Sequence, residues 1–131
     1  MGLRFEFDPL HKILLARLEG PLTEKLLEEF YRLTLKYWIA TGACAGILDG
    51  SSVTEVALSS DLIRALAIQE PSAEMAGCPR VFVVPRTDTF GLARMFQLAG
   101  ENRRPLLSVV HTMGEAFATL GVQPPHFETV A

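Results

Sequence analysis

Three groups of residues in this sequence are of types that could do chemistry. Ser59 and Ser60 stand together in Leu58-Ser59-Ser60-Asp61, where a helical pattern starts. Unpaired backbone N–H groups and the helix dipole would stabilise a phosphate on either hydroxyl there. Asp49, Ser51 and His111 have the side-chain types of an acid, nucleophile and base, and each follows a short apolar run. Arg86 follows another such run, and its planar guanidinium can take a carboxylate or phosphate bidentately. Ligands of open parallel sheets bind beyond the carboxyl ends of the strands, which makes Asp49, Ser51, Arg86 and His111 the candidate ligand-binding residues.

Each group also has a plainer reading. Serine is a preferred N-cap, so Ser59 can be explained without a kinase. Asp, Ser and His favour turns and caps, and no G-x-S-x-G elbow accompanies them. No catalytic residue is assigned, and the chain is expected to be non-enzymatic. Neither G-x-x-x-x-G-K-[ST] nor G-x-G-x-x-G occurs, so nothing points to a nucleotide. Cys44 and Cys78 lie far apart, with no C-x-x-C and no short spacing to His11, His111 or His126. Neither a metal nor a disulfide framework is expected, no cofactor is implied, and the thiols should be reduced and mostly buried.

The charge balance narrows the partners. The 131 residues carry a net charge of −3, which gives no general attraction to nucleic acid or to an anionic membrane. Locally the sign reverses, because residues 80–104 contain Arg80, Arg86, Arg94, Arg103 and Arg104 against only Asp88 and Glu101. That cluster is either a solvated basic face or a site for an anion. Hydrophobic residues make up 49% of the chain, enough to leave apolar side chains over for a partner or ligand once one core is filled. No run suits a transmembrane helix, and MGLRFEF lacks a signal-peptide core, so a cytoplasmic protein is expected.

The elements that would position these residues follow from periodicity. Residues 3–7 and 13–19 read as two strands joined by a turn at Asp8-Pro9, with Gly20-Pro21 breaking the second. A long helix starts near Thr23 and ends before Gly42, placing Leu26, Leu27, Phe30, Leu33, Thr34 and Tyr37 on one face. Leu35 and Ile39 fall on its polar side and Trp38 at the border. With Phe90, which points away from the expected core in a later helix, they are the candidate interface residues. Short apolar runs at 44–48, 81–84 and 106–110 read as buried strands. Each is followed by a helix: near 60–70, with Leu62, Ala65 and Leu66 together; near 88–100; and at 113–120. The last is marked by Thr112, Glu115 and Gly121. The order β-β-α-β-α-β-α-β-α requires an α/β fold with a largely parallel sheet. It fills residues 1–121 as one domain and leaves 122–131 as a loosely held tail.

This order and several motifs resemble the STAS domain of SpoIIAA-type anti-sigma-factor antagonists and sulfate-transporter tails. RLEGPLT (17–23) resembles the family's opening strand and turn, and ILDGSSVTEV (47–56) its central strand. VVPRTDTFGLARMF (83–96) and the Glu-Ala-x-x-x-Leu-Gly ending (115–121) are similar to a branch of stand-alone bacterial SpoIIAA-like proteins. These share a fold with the lipid-binding CRAL-TRIO domains. The resemblance implies a STAS-like mixed sheet with an N-terminal hairpin and about four helices. It also implies a regulatory role through protein contacts, as a homodimer or with a regulatory partner. The regulatory members are phosphorylated in Asp-Ser-Ser/Thr-Gly. Here the leading acid is absent and Asp61 replaces the glycine, leaving Ser59 and Ser60 as candidate phosphoacceptors only. Kinship with CRAL-TRIO implies the alternative, a carrier for a small apolar or lipid-like ligand held between the sheet and a helix.

Overall fold

The computed structural model describes residues 2–131. Two strands, β1 (Leu3–Asp8) and β2 (Ile13–Leu22), form the expected antiparallel hairpin, with Leu3 opposite Leu18 and Asp8 opposite Ile13. Asp8 shapes the turn. Its buried carboxylate accepts the Leu10 N–H at 3.0 Å and lies 2.6 Å from His11 Nδ1.

β2 does not stop at Gly20-Pro21. It continues to Leu22 in parallel with β3 (Ala45–Val56), through register shifts at Arg17/Glu19 and Gly20/Pro21. Pro21 is tolerated because β1 pairs only as far as Leu18, so the missing N–H falls on an unpaired edge. Gly20 bends the chain at φ 82°, in the left-handed region. The longer β2 carries β3 well past the run at 44–48, so Asp49 and Ser51 lie within a strand and not beyond its end.

Helix α1 (Glu24–Thr41) is capped by Thr23, whose hydroxyl accepts the Leu26 N–H, and stopped by left-handed Gly42. Then follow α2 (Ser60–Ala67), β4 (Arg80–Val83), α3 (Thr87–Ala99), β5 (Leu107–Val110), α4 (Met113–Leu120) and β6 (Glu128–Thr129). The sheet order is β5-β4-β3-β2-β1-β6, parallel from β2 to β5 and antiparallel at β1 and β6. Among the described residues no helix is long and apolar enough to cross a membrane.

Strand alternation divides the core. Ile13, Leu15, Ala45, Ile47, Val81 and Val83 pack against Ala116 and its neighbours on α4. Phe5, Leu14 and Ala16 pack on the opposite face against Trp38 and Ala43. On that second face α1 lies over β1 and β2, whereas α2 packs mainly on α3 and α3 reaches β5. Because its partner is α3, the buried residues of α2 are Ile63 and Ala67, and Ala65 is exposed instead of joining Leu62 and Leu66.

The tail is not loosely held. Phe127 packs on the α4 side of the core, Glu6 and Phe7 pair with Thr129 and Glu128, and the Val130 N–H donates to the Phe5 carbonyl at 2.9 Å while the Phe5 N–H donates to that of Ala131 at 2.9 Å. The outer edge of β1 would otherwise leave its polar groups unpaired. Cys44 is exposed, contrary to the expectation of buried thiols, because it precedes β3 just outside the core.

Candidate functional site

Of the residues expected at the carboxyl rim, Asp49 and Ser51 lie within β3 while Arg86 and His111 follow β4 and β5, and the charged side chains among them are already paired. Arg17 donates to Glu6 and to Asp49, both at 2.6 Å, and the second oxygen of Asp49 accepts the Ser51 N–H at 3.0 Å. Burial opposes the charge on Arg17, but the hydrogen bonds and charges of Glu6 and Asp49 outweigh it and raise its pKa. Asp49 therefore holds the sheet together and is not free for a ligand.

Arg86 is likewise engaged. Its guanidinium donates to the carbonyls of Val53 and Thr54 in β3 and to Asp88 at 2.8 Å. The Thr89 N–H and Arg86 together hold the Asp88 carboxyl below the usual range. His111 stacks on Phe90, ring centres 4.1 Å apart and planes at 11°, and Phe90 is half-buried. Asp49 is on β3 and His111 follows β5, strands separated by β4 and therefore about 10 Å apart. Among the described residues no hydrogen bond joins either Asp49 or Ser51 to His111. The three do not form a triad.

Ser59 accepts the Leu62 N–H at 3.1 Å as the N-cap of α2, and Ser60 is the first helical residue. The adjacent Asp61 side chain is 98% exposed and 3.7 Å from Arg64. Ser59→Ala should cost about 1 kcal/mol of stability by leaving a first-turn N–H unpaired. Chemical denaturation checks this. A loss near zero would mean that water replaces the cap.

The opposite face of the sheet holds a cavity of about 380 Å³ between the strands and helices α1, α2 and α3. Its floor is made by Leu14, Ala16 and Leu18 of β2, Gly46, Leu48 and Gly50 of β3, and Arg80 and Phe82 of β4. The alternation of the parallel strands points these positions the same way. Its walls come from Leu27 to Trp38 on α1, from Ile63 and Leu66 on α2, and from Leu92, Ala93 and Phe96 on α3. Leu27 and Trp38 are eleven residues apart, so the cavity runs about 16 Å along α1.

Two candidate interface residues belong to this interior. Trp38 is buried, with its indole N–H donating to the Glu74 carbonyl at 3.2 Å, and Leu35 is half-buried on the cavity wall. The helical wheel placed Trp38 at a border because it cannot see what lies opposite. That position is Gly46, where a Cβ would meet the Trp38 ring at 3.0 Å. Ile39 is 58% exposed and alone keeps the surface position expected of it.

The polar residues of the cavity were not singled out from the sequence. They gather at the end of the strands where β4 begins. Arg80 and Arg104 line the cavity there with Tyr31, Thr34 and Ser72. Arg104 donates to the Ala67 carbonyl at 2.8 Å and lies 5.0 Å over the Phe96 ring. Burial lowers the pKa of both arginines, and the charge of Arg104 lowers that of Arg80 further. An arginine stays cationic at neutral pH regardless. Desolvation raises the Tyr31 phenol against the opposing pull of Arg104 and Arg80. Tyr31 is nonetheless 43% exposed, which fits a crowded position on a concave wall. The signal available in the sequence was the local excess of arginine in 80–104.

The parallel sheet, the antiparallel N-terminal hairpin and the helices on both faces define a STAS-like fold. Among solved structures the chain is similar to the anti-sigma factor antagonist SpoIIAA in its unphosphorylated form. The TM-score is 0.60 at 12% identity, over 93% of this chain and 99% of that one, a likeness of fold. No protein-family model matches the chain, and no curated protein does.

Proposed function

We propose that this protein binds a small amphipathic molecule in the cavity beneath α1, α2 and α3. The cavity itself carries the reading: about 380 Å³, lined mainly by apolar side chains with a few convergent polar groups at one end. That is the size and character of a small-molecule site. The cavity opens partly to solvent, and the apolar chain of a ligand would displace water from its apolar lining. Carriage or sensing suits such a site better than catalysis, since Asp49 is tied to Arg17, His111 is stacked on Phe90, and among the described residues no hydrogen bond joins either Asp49 or Ser51 to His111.

Native mass spectrometry with added laurate in detergent-free buffer tests the proposal. A single adduct that saturates at one molecule per chain is expected. Only the bare chain, or a ladder of nonspecific adducts, would overturn it.

Regulation through protein contacts is the second reading. It is supported by the SpoIIAA-like fold and by the exposed position of Ser59 and Ser60 at the start of α2. Asp61 opposes it, as a fixed negative charge beside the hydroxyls that would carry the phosphate.

A further inference from the structure

The ligand's head group can be inferred from the charges that the fold leaves unanswered. Six of the nine arginines reach a carboxylate, none farther than 3.7 Å, and Arg94 donates to Gln97. Arg80 and Arg104 reach none among the described residues, although both line an apolar cavity. Glu70 also lines it, but its carboxylate lies 3.4 Å from Arg103.

A second observation is independent of charge. Among the described residues, the buried side-chain polar atoms without any hydrogen-bond partner are Thr34 Oγ1, Ser72 Oγ and Arg80 Nε. Folded proteins leave few such atoms, because each costs the desolvation of its group. All three belong to residues lining the same cavity, and Thr34 is only 8% exposed. Gly46 keeps the approach open, since a Cβ there would lie 3.4 Å from Arg80 Cγ.

We propose that Arg80 and Arg104, with Thr34 and Ser72, bind the oxyanion head of a single-chain amphiphile, a carboxylate or a phosphate monoester, whose apolar chain runs along the floor towards Leu18 and Leu27. This rests on the ligand-binding reading above and names its ligand class. A guanidinium pair supplies planar forks that match an oxyanion, and the two hydroxyls donate to its remaining lone pairs. The apolar length of the cavity excludes a free inorganic anion as the whole ligand.

The test compares laurate, dodecyl phosphate and dodecanol, equal in chain and different in head, by calorimetric titration of the wild-type protein, Arg80→Met and Thr34→Val. Wild type should bind one or both anions about tenfold or more tightly than dodecanol. The tighter of the two anions identifies the head. Arg80→Met should erase that preference and leave dodecanol affinity unchanged. It should also keep or raise the melting temperature of the empty protein, because it removes a half-buried charge that has no carboxylate partner and a buried Nε that has no hydrogen bond. Thr34→Val keeps the side-chain shape and should weaken only the anions, so it tests the site even if Arg80→Met does not fold.

Equal binding of anion and alcohol to wild type would overturn the head-group assignment and leave the cavity reading standing. So would an equal loss of both ligands in either variant. Failure of all three compounds to bind would overturn the cavity reading and the assignment with it.

Discussion

Ala93→Phe is expected to weaken binding of a long-chain anion by about ten- to a hundredfold while the melting temperature stays the same or rises. Ala93 is half-buried on α3 and lines the cavity, so a phenyl ring there occupies volume that the ligand chain needs. Displacing about 100 Å² of apolar contact at 25 cal/mol per Å² corresponds to roughly 2.5 kcal/mol of affinity. In a filled core the same substitution would add strain of about 1–3 kcal/mol. Here the ring enters existing space, and its own burial offsets any local adjustment. Separate measurements of melting and of ligand affinity distinguish the two effects. A large fall in melting temperature with unchanged affinity would show that Ala93 faces packed core and not a binding site.

Arg17→Ala should lower stability by about 2–3 kcal/mol, just below the range of about 3–5 kcal/mol for breaking a buried pair. The loss would leave the Glu6 and Asp49 carboxylates close together without a cation, and Asp49 is only 7% exposed. The figure is held down because the Arg17 side chain is 30% exposed and water can partly replace it. For a chain of this length the change corresponds to about 8–12 °C in melting temperature. Ligand affinity should not change, since Glu6, Arg17 and Asp49 lie outside the cavity lining. A loss below about 0.5 kcal/mol would mean that the two ion pairs are no stronger than ordinary surface contacts.

The helix ends were the most legible part of the fold. Thr23, Gly42, Thr112 with Glu115, and Gly121 each act where their chemistry implied, and α4 spans residues 113–120 as expected. These signals are local, so a sequence displays them directly. The extension of β2 and β3 was hidden, because Gly20-Pro21 reads as a terminator unless one knows that the edge beside Pro21 carries no partner strand. The tail's pairing with β1 was hidden for the same reason, as strand addition joins residues far apart in the chain.

The site was legible only as a charge imbalance. The arginine-rich segment 80–104 allowed either a solvated face or an anion site, and the fold divides it between them. Arg86 and Arg103 pair with Asp88 and Glu70, whereas Arg80 and Arg104 turn inward. Which arginine does which depends on strand parity and on the Gly46 gap, and neither leaves a mark in local composition. Choosing Asp49, Ser51, Arg86 and His111 from the expected carboxyl ends of the strands placed Asp49 and Ser51 too late, because β3 runs on to Val56, and missed the cavity beneath α1, α2 and α3.

Trp38 is the sole tryptophan and stands in the cavity wall, so its emission reports occupancy directly. Titrating the wild-type protein with myristate while following that emission should give a saturable change with a one-to-one stoichiometry, absent or strongly right-shifted in Ala93→Phe. Emission that stays flat up to the solubility limit, from protein shown by circular dichroism to be folded, would contradict the claim that this fold is built around a ligand.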